Sequence, residues 1–378
     1  MELEVIVAIL MFLTAIGALL AGFPVALTLG GTALLFALIG MSLGAFPEQM
    51  LESLPSRIQG GSIMQNETLV AVPLFIIMGV VLERSRVAED LLHIASRLLS
   101  RVRGGLGYAV VLVGALLAAS TGIVGATVIT MTLIALPTML RQNYDPKLAS
   151  GTIAASGTLG QIIPPSIVLI LLADAVSNAA SQAASRMGDG TSFVVSVGDL
   201  FAGALIPGMM LVGLYLLYIA ANAIFRPDAC PAADHDESEP LTRQELIFGF
   251  GAPLFLIIAV LGSILFGIAT PTEAASIGAA GAVLLAGLRL SDDKSSWQTF
   301  AILIGLISVV AIIILRQIFD LRVGVEAISA TNLIGICLTV LAAALFLASL
   351  VVGALVLHRQ AQFIPAMTSA VEITAMVF

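Results

Sequence analysis

The chain has 378 residues, of which 59% are hydrophobic and 11% charged, with a mean hydropathy of +1.09. A soluble domain carries about 25% charged residues, so an ordinary soluble protein is excluded. A formal charge of −8 with no basic stripe excludes a nucleic-acid surface. Runs such as Leu254 to Ile268 are apolar on every side instead of alternating, which excludes a transmembrane barrel and leaves an all-α polytopic membrane protein set in a lipid bilayer.

The first apolar run opens Met1-Glu2-Leu3-Glu4 without a positive leader, and it reads as a retained helix. It covers about Val5 to Leu20 and turns at Gly22-Phe23-Pro24 into a second span, about Val25 to Leu43. Residues 45–66 form a polar amphipathic joint, with Asn66 and Glu67 capping a third span from about Thr68 to Leu82. Residues 87–103 place apolar side chains at helical spacing opposite charges, the pattern of a helix lying in the membrane interface.

Two short apolar stretches follow, about Leu106 to Ala119 and Val124 to Leu140, joined by Ser120-Thr121-Gly122-Ile123-Val124-Gly125-Ala126. They are either a re-entrant hairpin or a tight pair of tilted helices. The next apolar run, 148–172, is interrupted at Gly157-Thr158-Leu159-Gly160-Gln161-Ile162-Ile163-Pro164-Pro165-Ser166, where two prolines remove two backbone donors and break the helix. A Ser/Gly/Asp joint at 177–199 leads to a span over about Phe201 to Phe225, then to an acidic, Pro-rich segment, 226–245, that reads as a solvated cytoplasmic loop. Spans at about Ile247 to Ile268 and Ala274 to Leu288 flank a Thr270-Pro271-Thr272-Glu273 turn, in which Glu273 caps the second helix. Two more, about Phe300 to Leu315 and Leu333 to Leu357, precede Phe378.

With the N-terminus outside and 106–140 returning to the side it left, all Lys and Arg residues except Arg57, Arg186, Arg316 and Arg322 fall inside, as the positive-inside rule asks. In this frame residues 21–35 and 266–285 share a break, a proline and a run of small residues in opposite orientations. Inverted repeats with broken helices are the usual plan of secondary transporters. The chain then divides into a first repeat, 1–225, the loop 226–245, and the start of a second repeat, 246–378.

Broken helices at membrane depth expose carbonyls only where these face protein or a cavity. Carbonyls freed by Pro164 and Pro165, with the hydroxyls of Ser120 or Thr121, suit a hard cation such as sodium. Gly122 and Gly125 let the backbone of the tip come close to a ligand, and the half-helix N-terminus after Pro165, at Ser166, suits an anionic substrate. Cys230 and Cys337 lack the spacing for a disulfide or zinc, and His93, His235 and His358 read as surface residues. With no nucleophile and base paired, no phosphate loop and no metal cluster, neither an enzyme nor a bound cofactor is expected.

The segments AVPLFIIMG, STGIVGATV, YDPKLASGTIAASGTLGQIIPPS and GIATPTEAASIGAAGA, in that order, resemble the large membrane subunit of TRAP transporters, the tripartite ATP-independent periplasmic family. The resemblance covers residues 1 to about 290 and resumes in the last dozen, leaving 292–365 as a two-helix insertion. It implies an elevator-type importer of organic acids such as dicarboxylates, keto acids or sugar acids. That importer lies in the bacterial inner membrane, is driven by sodium, and works with a small membrane subunit and a periplasmic solute-binding protein. Carried over by position, the sodium ion would lie among Ser120, Thr121, Gly122, Val124 and Gly125 at the tip and Gly157, Thr158, Gly160, Gln161, Pro164 and Pro165 in the break. The family's second hairpin and second Pro-Pro break would follow Phe378. Two other readings remain at this stage: a non-transporting membrane scaffold, and an elevator-type symporter that needs no binding protein.

Overall fold

The computed structural model describes residues 2–59, 66–122, 124–187, 195–232, 242–243, 245–291, 297–319 and 330–378. Among them there is no strand, and eight helices are long and apolar enough to cross a membrane, nine if one bent pair counts as a span. His235 and most of the acidic stretch at 226–245 lie outside the described residues. The chain forms two compact units, 1–70 with 369–378, and 71–368.

In the first unit, α1 (Glu2–Leu20) and α2 (Val25–Ser42) pair across a turn in which Gly22 takes a φ of +88°, a conformation natural to glycine. Their apolar side chains point outward almost all round, with Leu20 84% and Leu27 75% exposed, as suits helices whose solvent is lipid. Two short helices, α3 (Glu48–Glu52) and α4 (Leu54–Gln59), occupy the polar joint. Asn66 Oδ1 accepts the Thr68 N–H at 3.0 Å, the expected cap of α5 (Glu67–Arg84).

In the second unit, α5 turns by 62° into α6 (Val87–Leu98), with Arg86 at a φ of +62° in the corner. One face of α6, including Val87, Leu91, Leu92 and Ile94, is buried, and His93 lies on the exposed side. Asp90 on that helix takes a two-pronged contact from Arg289, Nη2 to Oδ1 at 3.0 Å and Nε to Oδ2. Next come α7 (Gly105–Thr121), α8 (Val124–Arg141) and α9 (Pro146–Thr158), which pack on one another. Asp145 caps α9 by accepting the Lys147 N–H at 2.8 Å, and Pro146 sits in its first turn, where no donor is lost. The interfaces are cut to the bone by glycine: a Cβ on Gly114 would stand 2.7 Å from Ser156 Cβ, and one on Gly157 would stand 2.2 Å from Val128 Cγ2.

Beyond the break, α10 runs Ile167–Met187, so the joint expected from residue 177 is helical for another three turns. Its Ser and Gln residues are interspersed with alanine, and alanine is the strongest helix former. Then α11 (Val197–Phe225) begins with a Ser196/Asp199 capping box. A π-helical turn, Glu245–Gly251, opens α12 (Ala252–Leu265), and α13 (Pro271–Leu290) starts with a second capping box, Thr270/Glu273. Glu273 is thus the cap expected of it. Two helices from the expected insertion, α14 (Trp297–Ile318) and α15 (Ala330–Arg359), pack tightly together and on α13, with Gly287 and Gly353 meeting backbone to backbone. The last helix is α16 (Phe363–Val377).

Candidate functional site

Residues 105–141 fold back on themselves. The Gly107 N–H, at the start of α7, donates to the Tyr144 hydroxyl just past the end of α8, at 3.4 Å. Both ends are also tied to one short segment after α11: Gly104 N–H donates to the Cys230 carbonyl at 3.0 Å and Asp145 N–H to the Ala229 carbonyl at 2.9 Å. The two ends of the hairpin are therefore held side by side on one short segment. The opening residues of the segment read as a solvated loop are instead a structural clamp, with Cys230 fully buried. Burial pushes the Cys230 thiol up and the Tyr144 phenol to about 12, so both stay protonated at neutral pH.

The turn between α7 and α8 depends on Gly122, whose φ of +62° is the left-handed conformation that a side chain would strain. A Cβ there would touch the Pro165 carbonyl oxygen and Ile167 Cγ1, each at 3.4 Å, so the tip lies against the break. In the break, α9 tightens into a 3-10 turn, Leu159–Gln161, and stops before a cis Pro164-Pro165 bond, with α10 starting at Ile167. Pro164 and Pro165 cannot donate to the carbonyls of Gly160 and Gln161 four residues back. Ser166, fully buried, replaces one of those donors by giving its hydroxyl to the Gln161 carbonyl at 2.8 Å.

Among the described residues one side chain is hydrogen-bonded between tip and break: Gln161 Nε2 donates to the Gly122 carbonyl at 3.1 Å. Its other end, Oε1, is buried with no partner among the described residues. A buried amide oxygen without a donor is costly, and it suits a cation or a donor group arriving from outside the protein. Donors of this kind, neutral oxygens with no carboxylate among them, fit a hard monovalent cation.

Of the residues expected at the site, the structure gathers Gly122, Gly160, Gln161, Pro164, Pro165 and Ser166 at this junction. Gly157 is buried against Val128 and serves helix packing. Thr158 is exposed, and its hydroxyl is spent on the Ala155 carbonyl at 2.7 Å. Gly125 is exposed with open space beside it, and Val124 is half-buried in the first turn of α8. The side chains of Ser120 and Thr121 lie outside the described residues. Sequence reasoning missed the clamp at Ala229 and Cys230. The signal available was a lone apolar Cys between Pro227 and Pro231 in an otherwise polar stretch.

Fold and site together define a polytopic helical membrane protein whose centre is a returning hairpin set against a broken helix. Residues 7–378 match the model of the tripartite ATP-independent periplasmic transporter, DctM component. The chain is 32% identical over 273 residues to the C4-dicarboxylate TRAP transporter large permease protein DctM of Rhodobacter capsulatus, covering 72% of this chain and 58% of that protein. It is 27% identical over 362 residues to the ectoine TRAP transporter large permease protein TeaC of Halomonas elongata, covering 91% and 78%. To the 2,3-diketo-L-gulonate TRAP transporter large permease protein YiaN of Escherichia coli it is 28% identical over 287 residues, covering 74% and 59%. The chain belongs to the DctM family of TRAP transporter membrane permease subunits, which are not enzymes. It spans between 49% and 58% of the length of its C4-dicarboxylate relatives.

Proposed function

We propose that the chain works as the large membrane subunit of a sodium-coupled secondary importer of organic acids. The importer lies in the bacterial inner membrane with the N-terminus of this chain on the periplasmic side. A small membrane subunit and a periplasmic solute-binding protein act with it, and its transport step is an elevator movement of the hairpin and broken helix. Membership of the TRAP permease family supports the partners, and relatives named for C4-dicarboxylate and 2,3-diketo-L-gulonate support the organic-acid class. The observation that carries the ion is the buried Gln161 Oε1, unpartnered among the described residues, beside the Gly122 tip and the Pro164-Pro165 break.

In this mechanism the sodium ion is a co-transported substrate. Backbone carbonyls of the tip and the break and the Gln161 amide oxygen replace part of its hydration shell. The half-helix N-terminus that follows Ser166 offers its backbone donors to the substrate's carboxylate, the Ser166 hydroxyl being committed to the Gln161 carbonyl. Residues 1–225 act as the first repeat and 246–378 as the beginning of the second, with α14 and α15 an insertion that rides on α13. The test is uptake in proteoliposomes by the permease with its small subunit and binding protein. Uptake should collapse when sodium is replaced by potassium or choline, and uptake that persists in choline overturns the coupling. Uptake that persists without the binding protein overturns the three-component reading.

A further inference from the structure

At the basic end of the hairpin an open cavity of about 720 Å³ lies between the foot of α8, the cap of α9 and the end of α11. Its lining combines Arg226 with two carboxylates, Asp145 and Asp228, beside the apolar Leu140 and Phe225. Among the described residues, Arg226 and Asp228 make no ion pair with each other or with Asp145. Both signs of charge therefore stand open in one concavity.

The depth of this cavity follows from helix geometry. The 29 residues of α11 rise about 44 Å at 1.5 Å each, which matches about 40–45 Å for a bilayer with its headgroups. Its last residues thus reach the headgroup layer. At the cavity's edge and just before it the surface is strongly apolar, with Phe225 82% and Ile224 74% exposed. A ligand that fits must carry a negative and a positive group on its polar end and an apolar body that continues along α11.

We propose that this cavity is a binding site for a zwitterionic aminophospholipid, the phosphodiester on Arg226, the primary ammonium on Asp228 and Asp145, and the acyl chains against Ile224 and Phe225. The Arg226 fork matches a phosphate, and an ammonium with three N–H donors matches paired carboxylates. Because Asp145 and Ala229 also carry the clamp on the hairpin, a bound lipid braces the feet of that hairpin. The site does not depend on the ion reading.

Native mass spectrometry of the full chain in detergent tests it, with phosphatidylethanolamine, phosphatidylcholine and inorganic phosphate titrated separately. Phosphatidylethanolamine should bind about tenfold more tightly than phosphatidylcholine, whose trimethylated nitrogen donates no hydrogen bond. Arg226→Gln and Asp228→Asn should each weaken phosphatidylethanolamine about tenfold. Both side chains are exposed, and a melting curve for each variant checks that the fold is kept. Equal binding of the two lipids, or wild-type affinity in both variants, overturns the proposal. So does inorganic phosphate displacing the lipid, which would make the cavity a free-anion site. The headgroup comparison on unaltered protein stands even if a variant fails to fold.

Discussion

Gln161 Nε2 and the Gly122 carbonyl meet at 3.1 Å across 39 residues of sequence, and this bond links the hairpin tip to the broken helix. Replacing Gln161 by Leu removes both the bridge and the orphaned Oε1. A net cost of about 1 kcal/mol is expected from the lost bond, together with loss of any stabilisation by sodium over potassium in a thermal melt. A Gln161→Leu protein that keeps its sodium-dependent shift would show that the side chain is only a strut.

Gly157 and Gly122 should fail for different reasons. A Cβ at Gly157 would stand 2.2 Å from Val128 Cγ2 and 3.2 Å from its Cα, so Gly157→Ala must push α8 and α9 apart. Overpacking of this kind costs about 1–3 kcal/mol. Gly122→Ala finds room at 3.4 Å but is held at a φ of +62°, which costs about 1–2 kcal/mol. Equilibrium unfolding in mixed micelles should rank Gly157→Ala as the more damaging. The reverse order would mean that the helix pair relaxes more easily than the tip.

Tyr144 makes a pH dependence with a definite sign. Its folded pKa is raised, mainly by burial, to about 12 from 10.0, so the neutral phenol is favoured in the folded state. Its contribution is therefore fully present below about pH 10 and falls away as the pH rises towards 12. The melting temperature of the wild type should drop faster across that window than that of Tyr144→Phe. Parallel curves would remove the phenol as the cause.

The Arg289 and Asp90 contact joins α6 to the end of α13, but the two side chains are 50% and 25% exposed. Solvent screening limits such a pair to about 1 kcal/mol or less. A double-mutant cycle of Asp90→Asn and Arg289→Gln should return a coupling in that range, shrinking further in high salt. A coupling of several kcal/mol would mark the pair as shielded from solvent.

The elements that were legible are those written in local chemistry. Asn66 and Glu273 mark helix starts where their side chains settle the first turn. Pro164-Pro165 marks the break because no helix can pass two absent donors. What escaped depends on distant partners. Nothing near residue 230 in sequence announces that its carbonyl receives Gly104. The helix beyond residue 177 escaped because a stretch of Ala, Ser and Gln suits a loop by polarity and a helix by backbone preference, and the second won.

The two ties at Ala229 and Cys230 make the hairpin resemble a door with both hinges on one post. Neither leaf can swing without the other, because Gly104 and Asp145 are screwed to adjacent carbonyls. Among the described residues the hydrogen bond at the far edge is that of the Gln161 amide. That edge is held by a side chain, whereas the hinges are main-chain bonds. A tilt at the post becomes a displacement at the far edge that grows with the length of the leaf, roughly 25 Å for the 17 residues of α7.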